Sequence, residues 1–125
     1  MRLLLDTHVL LWALTDDPRL GTEARDAISD GQNAVFVSAV SAWEITIKGA
    51  LGKLRVPDDL PAQLQDARFE GLDVTIEHAL AVGNLPEHHR DPFDRLLIAQ
   101  ARVSTLTLVT HDPQVQRYDV ALLPI

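Results

Sequence analysis

Two apolar runs near opposite ends of the chain each lead to an aspartate. Leu3-Leu4-Leu5 runs into Asp6, and residues 106–110 are followed two positions later by Asp112. Short apolar runs of this kind are typical of strands buried on both faces of a parallel sheet. If the two runs are neighbouring strands, both carboxylates open onto the crevice at the carboxyl edge of the sheet, where α/β proteins bind ligands. The sequence therefore predicts a functional site at that edge.

Strand and helix patterns alternate along the rest of the chain. We predict strands near 2–6, 34–37, 72–76 and 106–110, and helices near 22–30, 38–50, 60–69, 77–85 and 93–103. This order predicts an α/β fold of three layers, α/β/α, with a central parallel sheet of four or five strands. A chain of 125 residues that is 46% hydrophobic suits one domain, 1–125, with a substantial core.

Composition narrows the class of protein. The chain has no cysteine, which excludes disulfides and zinc–thiolate sites and favours a cytoplasmic location. Asp6 and His8 interrupt the apolar start, so we expect neither an export signal nor a membrane contact. The formal net charge of −7 argues against a broad positive surface for nucleic acid. Divalent cations held by some of the acids, or a basic partner protein, would offset that charge.

Two further acids, Glu44 and Asp94, lie in helical patterns between the strands. Ser41 and Glu44 match a capping box, which would start the helix at Ser41 and occupy Glu44. A start at Ser38 instead leaves Glu44 free to face the crevice, and we favour this second reading. In the run 91–94 we expect Asp91 to cap the next helix and Asp94 to face inward.

Capping is also the alternative role for the two strand-end acids. Asp6 could cap a following helix, and Asp112 with Pro113 matches a helix cap followed by proline. Four unpaired acids around one crevice repel each other unless they share protons or hold a hard cation such as Mg²⁺ or Mn²⁺. Their joint placement favours a metal site over four separate caps.

At these residues the chain resembles the PIN-domain ribonucleases, and in particular the VapC-type toxins of bacterial toxin–antitoxin pairs. The matching segments are Leu5-Asp6-Thr7-His8, Ser41-Ala42-Trp43-Glu44-Ile45, the run 91–101, and Leu108-Val109-Thr110-His111-Asp112. The run 91–101 is the most specific of these segments. Together they span nearly the whole chain in order.

The resemblance implies a PIN-like fold and a Mg²⁺- or Mn²⁺-dependent endoribonuclease. The catalytic and metal-binding residues it implies are Asp6, Glu44, Asp94 and Asp112. Thr7, Thr110 and Asp91 would support these ligands, and Lys48, Lys53 and Arg55 would guide the RNA. It also implies a homodimer and a small antitoxin protein as partner. For Trp12, Trp43 and Leu51, however, packing in the core is favoured over partner contact.

The sequence also allows other interpretations of its function. The chain could be a catalytically silent PIN-fold binding protein, because no residue pattern reports activity itself. An Mg²⁺-dependent aspartyl-phosphate phosphatase fits less well, since His8 stands where its second aspartate should be. A transition-metal site could be drawn from His88, His89, Asp91 and His111, but we expect the loop histidines to be solvated.

Overall fold

The computed structural model describes all 125 residues. Its strands are β1 (Arg2–Leu5), β2 (Ala34–Ser38), β3 (Glu70–Leu72), β4 (Thr107–Thr110) and β5 (Leu122–Pro124). Its α-helices are α1 (Thr7–Leu14), α2 (Thr22–Ser29), α3 (Ala39–Ala50), α4 (Leu60–Asp66), α5 (Ile76–Ala81) and α6 (Pro92–Val103). Single turns of 3₁₀-helix cover Pro18–Leu20, Val82–Asn84 and Val115–Arg117. None of the helices has the length and apolar character needed to cross a bilayer.

The five strands form one parallel sheet in the order β3-β2-β1-β4-β5. The chain therefore builds outward from β1 through β2 to β3, and then crosses to the other side of β1 to add β4 and β5. Strand order reverses between β1 and β4, which is where open α/β sheets form their ligand crevice. The predicted α/β class and central parallel sheet are confirmed, and β1 and β4 are the neighbours that the acid pattern required.

Alternate leucines of β1 anchor the helices on the two faces of the sheet. Leu3 and Leu5 pack in a cluster with side chains of α1 and α2, whereas Leu4 packs in a second cluster with side chains of α6. All three leucines are 0% exposed, and burial of each contributes roughly 1.5–3 kcal/mol. This packing fixes the end of β1, and with it the backbone of the residue that follows.

The third strand lies earlier in the chain than predicted. We expected it over 72–76, but β3 covers Glu70–Leu72 and pairs with β2 through Val37 and Gly71. Thr75 caps α5 by accepting a hydrogen bond from the His78 N–H, and the His78 ring accepts one from the Thr75 N–H. The cap directs the segment after Asp73 into a helix, so its β-branched residues do not extend the strand.

Two of the three apolar side chains assigned to the core are exposed. Trp12 is 8% exposed, as predicted, but Trp43 is 58% and Leu51 is 64% exposed. The inward face of α3 is formed instead by Val40, Ser41, Glu44 and Ile45. Trp43 lies outside that face and packs edge-on against Phe93 of α6, with ring centroids 5.3 Å apart. The buried stripe of α3 therefore includes a charged residue, Glu44, that hydrophobicity alone does not place inside.

Candidate metal centre

Asp6 follows β1 directly and is held from two sides. Its Oδ1 accepts a hydrogen bond from the Val9 N–H at 2.9 Å, which makes Asp6 the N-cap of α1. Its Oδ2 accepts a hydrogen bond from Thr110 Oγ1 at the end of β4. Burial raises the pKa of Asp6, although the hydrogen bonds from Thr110 and Val9 oppose that shift. The capping role and a place at the crevice are therefore compatible in this one residue.

Glu44 faces the interior because of where α3 begins. The helix starts at Ala39 with Ser38 as its cap, whose Oγ accepts a hydrogen bond from the Val40 N–H at 3.0 Å. The start at Ser38 is confirmed, and the capping box at Ser41 does not form. Glu44 is only 3% exposed, and its Oε1 accepts a hydrogen bond from Thr7 Oγ1 at 2.5 Å. The carboxylate thus lies inside the structure.

Lys48 lies one helical turn after Glu44 and pairs with it. Its Nζ contacts Glu44 Oε2, and it also lies 5.7 Å from the centre of the Phe93 ring. Burial lowers the pKa of Lys48, but the hydrogen bond and charge of Glu44, together with Asp91 and Asp94, raise it overall. Lys48 therefore supplies a positive charge at the acidic cluster.

Asp94 carries a strongly perturbed carboxyl group. Asp91 caps α6 by accepting hydrogen bonds from the N–H groups of Phe93 and Asp94, so its carboxylate is engaged with backbone. Asp94 lies in the first turn of the helix, and its side chain is 16% exposed. Burial raises the pKa of Asp94 to about 8, with further contributions from the charges of four neighbouring acids. These are Asp91, Asp6, Glu44 and Asp112.

Asp112 completes the set beyond β4. Its N–H donates to Thr110 Oγ1 at 3.1 Å, and its Oδ1 accepts a hydrogen bond from the Gln114 N–H at 2.8 Å. The following 3₁₀ turn is nonetheless capped at Gln114, so the predicted cap at Asp112 is a local turn only. The charge of Asp112 raises the pKa values of both Asp6 and Asp94. The charges of Asp6, Glu44 and Asp112, from three separate segments, therefore act on Asp94 at the β1–β4 crevice.

His89 is a residue of this cluster that sequence reasoning missed. It was expected to be solvated, but its side chain is 12% exposed and its Nε2 lies 3.5 Å from Asp94 Oδ2. Atoms of His89, Asp94 and Asp112 that could ligate a metal lie within 4.8 Å of one another. The loop between Pro86 and Pro92 has no periodic pattern that would predict the burial of His89. Its only sequence signal was its position shortly before the cap of α6.

The transition-metal set drawn from the other histidines does not assemble. His111 is exposed, and its Nδ1 contacts the Ile125 carbonyl at 2.7 Å. His88 packs edge-on against Tyr118, with ring centroids 4.8 Å apart. Asp91 is occupied by the backbone of α6. Only His89 of these four reaches the acids.

The chemistry of the donors fits a hard divalent cation. Every acid in the cluster offers carboxylate oxygen, which is the ligand type that Mg²⁺ and Mn²⁺ prefer. Asp94 Oδ1 and Asp112 Oδ2 accept no hydrogen bond within the chain, so these ligand oxygens remain available. Burial and the neighbouring acids raise the pKa of Asp94, so its ionised form needs more positive charge than Lys48 provides. A cation at the crevice would supply it.

Fold and site together define a class of protein: a parallel α/β domain with a carboxylate cluster at the switch point of its sheet. Comparison with protein families agrees with this class, because the PIN domain model matches residues 3–121. The chain belongs to the PIN domain family.

A relative from Mycobacterium tuberculosis, Ribonuclease VapC16, is 35% identical over 68 residues. That match covers 50% of this chain and 48% of the relative, so the similarity spans about half the length of each.

Two solved structures share the fold over nearly their whole length. The VapBC2 structure from Rickettsia felis, bound to a promoter DNA fragment, superposes with a TM-score of 0.74 at 18% identity, covering 100% of this chain and 99% of that one. A toxin–antitoxin complex from Klebsiella pneumoniae gives a TM-score of 0.63 at 18% identity, with coverages of 96% and 94%. At this identity the likeness establishes the fold.

Proposed function

We propose that the chain is a divalent-metal-dependent endoribonuclease. The observation that carries the proposal is Asp94, a largely buried carboxylate whose pKa is raised to about 8 by burial and by acids on neighbouring segments. Carboxylates gathered this closely repel each other, and a bound divalent cation offsets that repulsion. The partial match to a protein named a ribonuclease favours RNA as the substrate.

In this proposal Asp6, Glu44, Asp94 and Asp112 hold the cation. When bound, a divalent cation lowers the pKa of water and stabilises negative charge on a phosphodiester. Thr110 and Thr7 orient Asp6 and Glu44 through the hydrogen bonds described above. Asp91 fixes the first turn of α6, from which Asp94 projects.

The basic residues proposed to guide RNA fall into two groups. Lys48 is engaged by Glu44 and lies at the cluster, whereas Lys53 and Arg55 are exposed on the segment after α3. Lys53 and Arg55 are therefore the better candidates for contact with the RNA backbone. Replacing both by Gln should weaken RNA binding for all sequences alike and reduce its salt dependence, without changing metal affinity.

We further propose that the protein is the toxin of a toxin–antitoxin pair and acts in the cytoplasm. The likeness to a toxin–antitoxin complex supports an antitoxin partner. A groove of about 550 Å³ beside α1, whose lining includes Leu11, Trp12 and Val56 among polar side chains, offers a surface for a partner segment. The acidic surface, with its net charge of −7, favours a partner with basic residues.

A homodimer is the remaining part of this proposal. Ile76 and Leu80 lie one turn apart on α5 and are 80% and 73% exposed. Large apolar side chains exposed together favour contact with another protein surface. Light scattering of the wild type and of a Leu80→Glu variant tests this: a dimer that becomes a monomer supports the contact, and a monomeric wild type contradicts it.

The decisive experiment incubates purified, partner-free protein with mixed RNA and Mg²⁺, Mn²⁺ or a chelator. Asp6→Asn and Asp94→Asn variants are compared with Asp26→Asn, which changes an exposed acid on α2. We expect metal-dependent cleavage by the wild type and the Asp26 variant, and loss of cleavage in the other two. Intact RNA in every sample, with no divalent binding by calorimetry, would show a silent PIN fold.

A further inference from the structure

His89 is held in one orientation by Tyr118. Its Nδ1 lies 2.9 Å from the Tyr118 hydroxyl, and its main-chain N–H donates to the same oxygen at 3.3 Å. Its other ring nitrogen, Nε2, is buried without a hydrogen-bond partner, at 3.5 Å from Asp94 Oδ2. A buried nitrogen without a hydrogen-bond partner destabilises the folded protein, so its position beside an acid suggests a function.

The hydroxyl of Tyr118 decides which nitrogen carries the proton. Arg95 Nη1 donates to this oxygen at 3.1 Å, as does the His89 main-chain N–H. Neither group can accept a hydrogen bond, so the single hydroxyl proton of Tyr118 is directed to His89 Nδ1. With Nδ1 as the acceptor, the neutral ring carries its proton on Nε2. His89 therefore presents an N–H to the acidic cluster.

Arg95 makes this arrangement rigid. Its guanidinium also donates to the carbonyls of Pro86 and Val82, which ties the loop before α6 to the helix itself. Tyr118 is 4% exposed, and Arg117 donates to the His88 carbonyl at 3.4 Å. Side chain and backbone of the loop are thus fixed relative to Asp94, which lies on the same helix as Arg95.

We propose that His89 is a positioning residue for the metal ligand Asp94, acting as a hydrogen-bond donor through Nε2–H, and that it is not itself a ligand. The proposal rests on the proposed metal centre. By directing an N–H to Oδ2, His89 orients the carboxylate and leaves Oδ1 for the cation. A ligating Nε2 would need the opposite tautomer, in which the Tyr118 hydroxyl receives three donors and has no acceptor at Nδ1.

Nitrogen NMR of the imidazole rings tests the tautomer directly. In ¹⁵N-labelled protein with saturating Mg²⁺, which is diamagnetic, we expect His89 to show a protonated Nε2 and an unprotonated Nδ1. Tyr118→Phe, which removes the donor to Nδ1, should change the ratio of the two tautomers. An unprotonated Nε2 in the Mg²⁺-loaded wild type would overturn the proposal, because a nitrogen in that state is a ligand or an acceptor.

Calorimetric titration with Mn²⁺ tests the positioning role. We expect His89→Ala to weaken Mn²⁺ binding by about 10–100-fold. His89→Gln, whose amide N–H can replace the imidazole Nε2–H, should recover most of the affinity. His88→Ala, which removes the neighbouring ring from Tyr118 but no contact to the acids, is the matched control and should bind Mn²⁺ as the wild type does. Wild-type affinity in His89→Ala would contradict the proposal.

The two proposals fail in different ways. If the wild type binds Mn²⁺ but cleaves no RNA, the nuclease function fails while the tautomer and affinity results still decide the role of His89. If the wild type cleaves RNA but His89→Ala retains full Mn²⁺ affinity, the nuclease stands and the positioning role is wrong.

Discussion

Thr110 Oγ1 donates a hydrogen bond to Asp6 Oδ2 at 2.5 Å, joining residues 104 positions apart at the ends of β1 and β4. The same hydroxyl accepts the N–H of Asp112 at 3.1 Å. One side chain therefore connects the two strand-end acids, and it does so at the point where strand order reverses. The relative positions of Asp6 and Asp112 depend on this threonine.

Thr110→Val should weaken the metal centre without disturbing the sheet. Valine keeps the shape but removes the donor to Asp6, so we expect a 10–100-fold loss of Mn²⁺ affinity and a loss of stability of about 1.5–3 kcal/mol. Calorimetry and urea unfolding measure the two effects. Thr110→Ser should retain most of both, and Thr107→Val on the same strand serves as control. Equal behaviour of the Thr110 and Thr107 variants would show that the hydroxyl does not matter.

Lys48→Met should produce opposite effects on stability and on metal binding. Removing the ammonium leaves the buried Glu44 carboxylate without its cation, at a cost of about 1–3 kcal/mol in chelator. Divalent cations no longer compete with Lys48 for Glu44, so we expect Mg²⁺ and Mn²⁺ to bind more tightly. Thermal unfolding with and without Mg²⁺ checks both effects. Lys53→Met, at an exposed position, is the control. If Lys48→Met and Lys53→Met have the same stability and metal binding, the Lys48–Glu44 pair does not contribute.

The central strand β1 and the positions of Asp6, Asp91 and Asp94 could be predicted from the sequence because their signals are local. Three consecutive leucines identify β1, and the aspartate after them falls at the strand end whatever the rest of the chain does. Asp91 and Asp94 were separated by helix geometry alone, since a cap and a first-turn residue face different directions. Each of these predictions needed only a few neighbouring residues.

The structural features that could not be predicted from the sequence depend on contacts between distant segments. His89 is buried because Tyr118 and Arg95 hold its loop. Tyr118 lies far from both His89 and Arg95 in the sequence. Trp43 was assigned to the core because it is hydrophobic, but it is exposed and packs against Phe93 of α6. The hydrogen bond from Thr7 of α1 to Glu44 joins distant segments, so no local pattern reveals it.

Gly21→Ala should destabilise the fold through the backbone. Gly21 precedes α2 with φ 78° and ψ 162°, a conformation that residues with a Cβ avoid, although no atom lies within 4 Å of where the Cβ would be. We expect a loss of about 1–3 kcal/mol in urea unfolding. Gly31 also has open space around it but lacks a positive φ, so Gly31→Ala is the matched control. Equal stabilities would show that the backbone at 21 adapts.

The metal-free protein should lose stability as pH rises, and Asp94 should account for much of that loss. The pKa of Asp94 is about 8 in the folded chain against 3.8 for the free side chain, so the folded state binds the proton more tightly. The contribution of Asp94 to stability should therefore be full below about pH 4, decline between about pH 4 and 8, and level off above. Thermal unfolding in chelator should show this decline, and Asp94→Asn should reduce it and raise the Tm at pH 8. Mg²⁺ should restore the wild type at pH 8 but not the variant, because a cation that binds only the folded state stabilises it by mass action. A wild-type Tm that does not change with pH in chelator would show that folding does not raise the pKa of Asp94.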